Sequence, residues 1–414
     1  MSRRKRIPSF LPGFILAGLA LAGIVIVFPP AGHSQEPAPA ATRRVTDFTP
    51  RNIPPERRTA GSQETDLAPG ADARVAPRFQ VDPFWPKPLP NNWIIGQVSG
   101  VHVDKRNHVW IVHRPGSLSD REVGAAANPP ISKCCFAAPP VLVFDQEGNL
   151  VRSWGGPGSG YEWPSSEHGV HVDDNDFVWL AGNGANDNQI LKFTLDGKFL
   201  MQIGRAGQNK GSNDTGNLGN PADMEVDEQA REIYVADGYG NRRVIVFDTE
   251  TGAYKRHWGA YGRMPSDAPM PAYNPAGPPS QQFGSPVHCV RLSNEGLIYV
   301  CDRVNDRYQV FRKDGTFVSE SFFERETRLN GSVSDLVFSL DAGQKYVFMV
   351  DGVNNELRIV DRMSAAVLGR LGRPGRMAGQ FHVVHDIAID RGGNLYTTEV
   401  NTAQRVQKFR RLNP

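Results

Sequence analysis

The sequence predicts an all-β fold, a six-bladed β-propeller, on three observations. A unit recurs six times between residues 77 and 414, and each copy opens with a short β-branched strand ending in Asp or Ser. Each copy also carries a later apolar strand, ending in Phe in five cases. Turns such as Asp145-Gln-Glu-Gly148, Leu195-Asp-Gly197 and Lys313-Asp-Gly315 follow it, with glycine where a hairpin needs positive φ. The 42 glycines and 32 prolines suit such a turn-rich chain. A pair of β-sandwiches is the rival architecture.

The elements follow in order. Ser2-Arg-Arg-Lys-Arg6 is a basic flank before the nearly unbroken apolar run from Phe10 to Phe28. Residues 1–34 therefore read as a signal peptide or a membrane anchor, and the protein is expected to be exported: periplasmic, secreted or membrane-anchored. Residues 35–76 are rich in Pro, Ala, Arg and Thr and read as a disordered linker. The blades occupy 77–414. Their opening strands are Gly100–Asp104, His168–Asp173, Ala222–Asp227, His288–Ser293, Ser334–Ser339 and His385–Asp390. Their third strands are 141–144, 190–193, 244–247, 308–311, 357–360 and 406–409. The last unit stops before a fourth strand, and the extended stretch Arg78-Phe-Gln-Val-Asp-Pro-Phe84 is expected to complete blade six.

Composition excludes other classes. Lys and Arg total 46 against 44 Asp and Glu, a net charge of +2, which gives no reason to expect nucleic acid. Four cysteines are too few for a disulfide scaffold, so a hydrophobic core must hold the fold. Cys289 and Cys301 flank a hairpin and could form a disulfide, while the adjacent Cys134 and Cys135 suit a structural or free role better than a metal site. The long loops 115–139, 205–221 and 259–285 are natural binding elements.

Counting back five residues from each Asp or Ser anchor gives Ser99, His168, Ala222, His288, Ser334 and His385. Histidines fall on blades two, four and six, and small residues fall between them. Inner strands of a propeller run parallel along one channel, so these positions should form a ring at one mouth. Three imidazoles with an open position are what a catalytic zinc requires. His102 and His171 lie deeper on the inner strands and read as structural; His382 lies off the register. Arg114 and Arg303 each fall ten residues past an anchor, and Tyr239 falls in Asp237-Gly-Tyr-Gly-Asn-Arg242 on a blade between them. A tyrosine beside a divalent cation can act as a base, and arginine can hold a carboxylate at two points.

From about residue 90 onward the chain resembles peptidyl-α-hydroxyglycine α-amidating lyase, a six-bladed propeller with NHL-type repeats. The matching stretches are Gly100-Val-His-Val-Asp104, Val112-His-Arg114, Glu167-His-Gly169, Asp237-Gly-Tyr-Gly-Asn241, Cys301-Asp-Arg-Val-Asn305 and Val384-His-Asp386. The resemblance implies zinc on His168, His288 and His385, with Tyr239, Arg114 and Arg303 as catalytic residues. It also implies a structural calcium held by the Asp386 carboxylate and the backbone carbonyls of Val101 and Val170. The implied reaction cleaves a peptidyl-α-hydroxyglycine to an amide and glyoxylate. The expected partner is thus a small molecule or peptide bearing a carboxylate, met by a monomer.

The chain departs from the family pattern in four places. Val383 stands where a methionine is usual, Gly240 where a disulfide cysteine is usual, and Tyr299 and Val310 where a second disulfide pairs. Two rival functions stay open on the sequence: a non-catalytic NHL propeller binding a protein or cell-envelope partner, and a metal-dependent hydrolase or lactonase on the same scaffold.

Overall fold

The recurring unit folds as six antiparallel sheets of four strands, whose inner strands pack side by side in a closed ring. The structure, a computed structural model, describes residues 65–68 and 76–412, so the expected leader at 1–34 and nearly all of the linker lie outside the described residues. Blade one is Gln97–Val103, Val109–Arg114, Val141–Phe144 and Leu150–Trp154; blade two is Glu167–Val172, Phe177–Gly182, Gln189–Thr194 and Phe199–Gly204. Blade three is Asp223–Asp227, Glu232–Asp237, Arg243–Asp248 and Tyr254–Trp258; blade four is Val287–Leu292, Leu297–Asp302, Arg307–Arg312 and Phe317–Phe322. Blade five is Asp335–Phe338, Tyr346–Asp351, Glu356–Asp361 and Val367–Leu371. Blade six holds Val384–Ile389, Leu395–Glu399 and Arg405–Arg411, and its outer strand is Phe79–Asp82, with Phe79 opposite Arg411. The expected strand exchange therefore closes the ring. Asp66–Leu67, inside the stretch read as a linker, adds a short fifth strand to blade five, with Asp66 opposite Arg370.

The hydrophobic core is divided among the blade junctions. One apolar cluster lies between each successive pair, from Trp110 and Leu191 between blades one and two round to Tyr396 and Leu142 between blades six and one. The anchor aspartates of blades one and two explain how those blades turn. Asp104 accepts from the backbone N–H groups of Arg106 and His108, both at 2.8 Å, and from Trp110 Nε1 at 2.9 Å. Asp173 does the same for Asn175, Phe177 and Trp179. One carboxylate thus closes the turn and seats the indole of the blade core. Cys289 and Cys301 face each other across the first two strands of blade four and are bonded; Cys134 and Cys135 are also joined. Tyr299 and Val310 are direct cross-strand partners and both are buried, so an apolar pair stands where a family disulfide is expected.

A second repeated device holds the loops of one face. In blades three, four and five the second strand ends in a fully buried Asp that an Arg on the third strand grips. Arg243 Nε lies 2.8 Å from Asp237, Arg307 Nε 2.8 Å from Asp302, and Arg358 Nη2 2.7 Å from Asp351. The intervening Asn241, Asn305 and Asn354 donate to the same carboxylates at 2.8 to 2.9 Å. These loops carry Tyr239 and Arg303, so an ion pair sealed from water fixes the path of each. Removing one partner strands the other charge in the interior. Asp302→Ala is expected to lower unfolding free energy by about 3–5 kcal/mol, read from the urea midpoint. A shift of under about 0.5 kcal/mol, typical of surface sites, would contradict this role.

Candidate metal centre

The three histidines do converge. His168, His288 and His385 are buried, and their ring centroids are 4.7 to 5.2 Å apart. One nitrogen from each falls within 4.8 Å of the others. Pairing in the inner strands slips at these residues: between Val287 and Cys289 around His288, between Val384 and Asp386 around His385, and opposite the Leu180 to Gly182 step around His168. A bulge turns a side chain out of the regular alternation, which aims each imidazole into the channel. Val383, two residues before His385, has φ of 61°, a conformation disfavoured for a β-branched residue, and its N–H is held by Asn355 Oδ1 at 2.6 Å.

The small residues between the histidines have a role beyond leaving room. Nδ1 of His168 lies 2.7 Å from the carbonyl of Ala222, Nδ1 of His288 lies 2.7 Å from that of Ser334, and Nδ1 of His385 lies 2.8 Å from that of Ser99. A carbonyl only accepts, so each Nδ1 carries the proton and each Nε2 is left with its lone pair toward the channel. Burial, joined by the neighbouring histidines and by Arg114 and Arg303, holds the His168 and His288 imidazoles well below their ordinary value. Burial first, then Arg114 and Arg303, brings His385 down to about 3. Three neutral imidazoles, each fixed in the tautomer that offers Nε2, suit a tetrahedral zinc with one position open.

Tyr239 and the two arginines stand over this triad. The Tyr239 hydroxyl lies 3.0 Å from Nε2 of His168 and 3.1 Å from Nε2 of His288. Its loop is pressed onto the strand that carries His288: a Cβ on Gly238 would meet the Val287 carbonyl oxygen at 2.0 Å, so only glycine fits there. The Arg303 guanidinium lies 5.9 Å from the Tyr239 ring, and its buried Nε has no hydrogen-bond partner among the described residues. Arg114 is held by the Glu167 carbonyl at 2.8 Å, Gln97 Oε1 at 2.9 Å and Asn183 Oδ1 at 3.2 Å. Sequence reasoning missed Gln97 and Asn183, and the carbonyl acceptors, because a backbone oxygen has no signature in the residue it belongs to.

The other predicted positions fall elsewhere. His382 meets Thr402 at 3.1 Å, away from the triad. The His102 and His171 rings meet at a tilt, 4.5 Å between centroids, and line a separate cavity with Glu225 and Arg291. The donor set expected for calcium does not fit that ion. Asp386 accepts from the N–H of Val101 at 3.0 Å and of Ile387 at 2.6 Å, and the Arg291 guanidinium lies 3.5 Å from it. Calcium needs six to eight oxygen donors, whereas this carboxylate is met by N–H groups and a cation. Val101 and Val170 are buried and line the cavity that also holds Asp223 and Arg291.

The chain is a six-bladed propeller with a histidine triad at its ring. No family model matches it. It is 27% identical over 356 residues to peptidyl-glycine alpha-amidating monooxygenase B of Xenopus laevis, covering 80% of this chain and 35% of that protein. The chain thus spans about a third of that relative's length. It is 24% identical over 334 residues to a probable peptidyl-alpha-hydroxyglycine alpha-amidating lyase of Caenorhabditis elegans, covering 77% and 83% of the two chains. It is 26% identical over 291 residues to NHL repeat-containing protein 3 of Homo sapiens, covering 66% and 74%. These are distant relatives.

The depressed histidines tie stability to pH. Each binds fewer protons folded than unfolded, so its contribution is complete above about pH 6.5 and is lost as pH falls toward the folded value. Metal-free protein is expected to weaken between about pH 7 and pH 4, and His385→Gln to flatten that decline. Urea midpoints across the range check this; parallel curves for the two proteins would contradict it.

Proposed function

We propose that the protein is a zinc-dependent lyase that cleaves a peptidyl-α-hydroxyglycine-like substrate into an amide and glyoxylate. The carrying observation is the Tyr239 hydroxyl set against the free nitrogens of both His168 and His288, with Arg303 beside its ring. Zinc on His168, His288 and His385 would supply Lewis acidity to a substrate hydroxyl. Tyr239 takes the hydroxyl proton at its oxygen as the C–N bond breaks, and a proton passes to the departing amide nitrogen. The products balance without oxidant. Arg303, with a buried donor that has no partner among the described residues, and Arg114, fixed by three acceptors, hold the substrate carboxylate. The names of the distant amidating relatives support this reaction class. On this proposal the protein works as an exported monomer, delivered or anchored by segment 1–34.

Glyoxylate release from an α-hydroxyhippurate-type substrate tests the reading. Release should stop with chelator and return with zinc. Tyr239→Phe should lower kcat by about 10²–10⁴-fold while leaving the zinc content unchanged. No glyoxylate from zinc-loaded protein would reject the reaction. In that case the rival reading, a non-catalytic propeller that binds a protein or cell-envelope partner, becomes the better one.

A further inference from the structure

One residue past the ring positions, three blades carry aspartate: Asp223 after Ala222, Asp335 after Ser334 and Asp386 after His385. All three are buried. The three histidines and the three aspartates line one cavity of about 10 Å³, room for at most a single water. The two layers are therefore immediate neighbours. Arg291 reaches in from blade four and meets all three carboxylates. Nη1 is paired with Asp223, and Nη2 lies 2.9 Å from Asp335 and 3.5 Å from Asp386. Backbone amides complete the cluster: Val290 donates to Asp223 and Ile387 to Asp335, both at 3.1 Å, and Val101 to Asp386 at 3.0 Å.

Three carboxyl groups surround one guanidinium, so acidic groups outnumber the cation in this layer. A buried net charge is strongly disfavoured unless a counter-charge sits close by. The histidines, as neutral ligands, bring none, and Arg114 and Arg303 face the substrate side beside Tyr239. A divalent ion in the triad brings two positive charges. We infer that the layer of Asp223, Asp335 and Asp386, trimmed by Arg291, is the counter-charge that fixes a divalent ion in the histidine triad. This rests on the metal reading above. The layer acts through space over the small cavity it shares with the triad, where Coulomb interactions are stronger than in bulk water. It also gives Arg291 a role: as the cation within reach of all three carboxyl groups, it offsets part of the layer's acidity.

The test is zinc affinity, measured by competition with a chromophoric chelator at fixed pH, with metal-free thermal unfolding run to confirm that each variant folds. Asp223→Asn and Asp335→Asn should each weaken zinc binding by about 10–100-fold. Arg291→Gln should tighten it, and Arg291→Lys, which keeps the charge, should leave it near wild type. The opposite signs matter, because a packing role would make every substitution weaken binding. All variants shifting the same way, or none shifting, would overturn the inference and leave the triad as a zinc site. A second divalent ion per wild-type chain, lost in Asp335→Asn, would overturn it too, since the layer would then be a metal site itself. Wild-type protein that takes up no zinc would reject the metal reading and this inference together.

Discussion

The structure of the site depends on three hydrogen bonds that cross blade boundaries. Each imidazole is fixed from behind by the carbonyl of the next blade's ring position: His168 by Ala222, His288 by Ser334, His385 by Ser99. The bond does two things at once. It places the proton on Nδ1, leaving Nε2 free, and it ties one blade's side chain to another blade's backbone, so the spacing of the triad is the spacing of the ring. Closure of that ring by Phe79–Asp82 is then part of the site's geometry, since His385 sits on the blade it completes.

Charge is distributed along the channel in layers. Above the triad stand Arg114 and Arg303 with Tyr239, which suits an anionic substrate. Below it lie three aspartates around Arg291. Buried charge is destabilising in isolation, and the aspartates of this layer share a single guanidinium. The Asp–Arg clamps of blades three to five solve the same problem at the loops. There the pairing is complete within a blade, and the result is rigid loops that carry Tyr239 and Arg303. Blade two has no such pair, and Asp187 instead ties its loop by accepting from Ser165, Ser166 and Gly184.

Much of this was legible in the chain. A fixed distance from the Asp or Ser anchors located the ring and its alternation of histidine and small residues, and the missing fourth strand of the last unit pointed to Arg78–Phe84 as the strand that closes blade six. Those features follow from period and register, which side-chain types encode directly. What was not legible follows from backbone. The bulges at His288 and His385 are register slips that leave no mark in composition, and the carbonyls that orient the histidines belong to Ser99, Ala222 and Ser334 whatever their side chains. The poor match of the Asp386 surroundings to calcium has a readable reason. Arg291, three residues past His288, fills the acidic layer, and Asp223 and Asp335 share the register of Asp386 one step past the ring. The same count that found the histidines would have found them.

The central claim is that His168, His288 and His385 hold one zinc through Nε2. X-ray absorption at the zinc K-edge on purified protein tests it most directly. The account predicts three imidazole nitrogens at about 2.0–2.1 Å, one further light ligand, and one zinc per chain. A shell of oxygens alone, or zinc retained unchanged in His288→Ala, would contradict it.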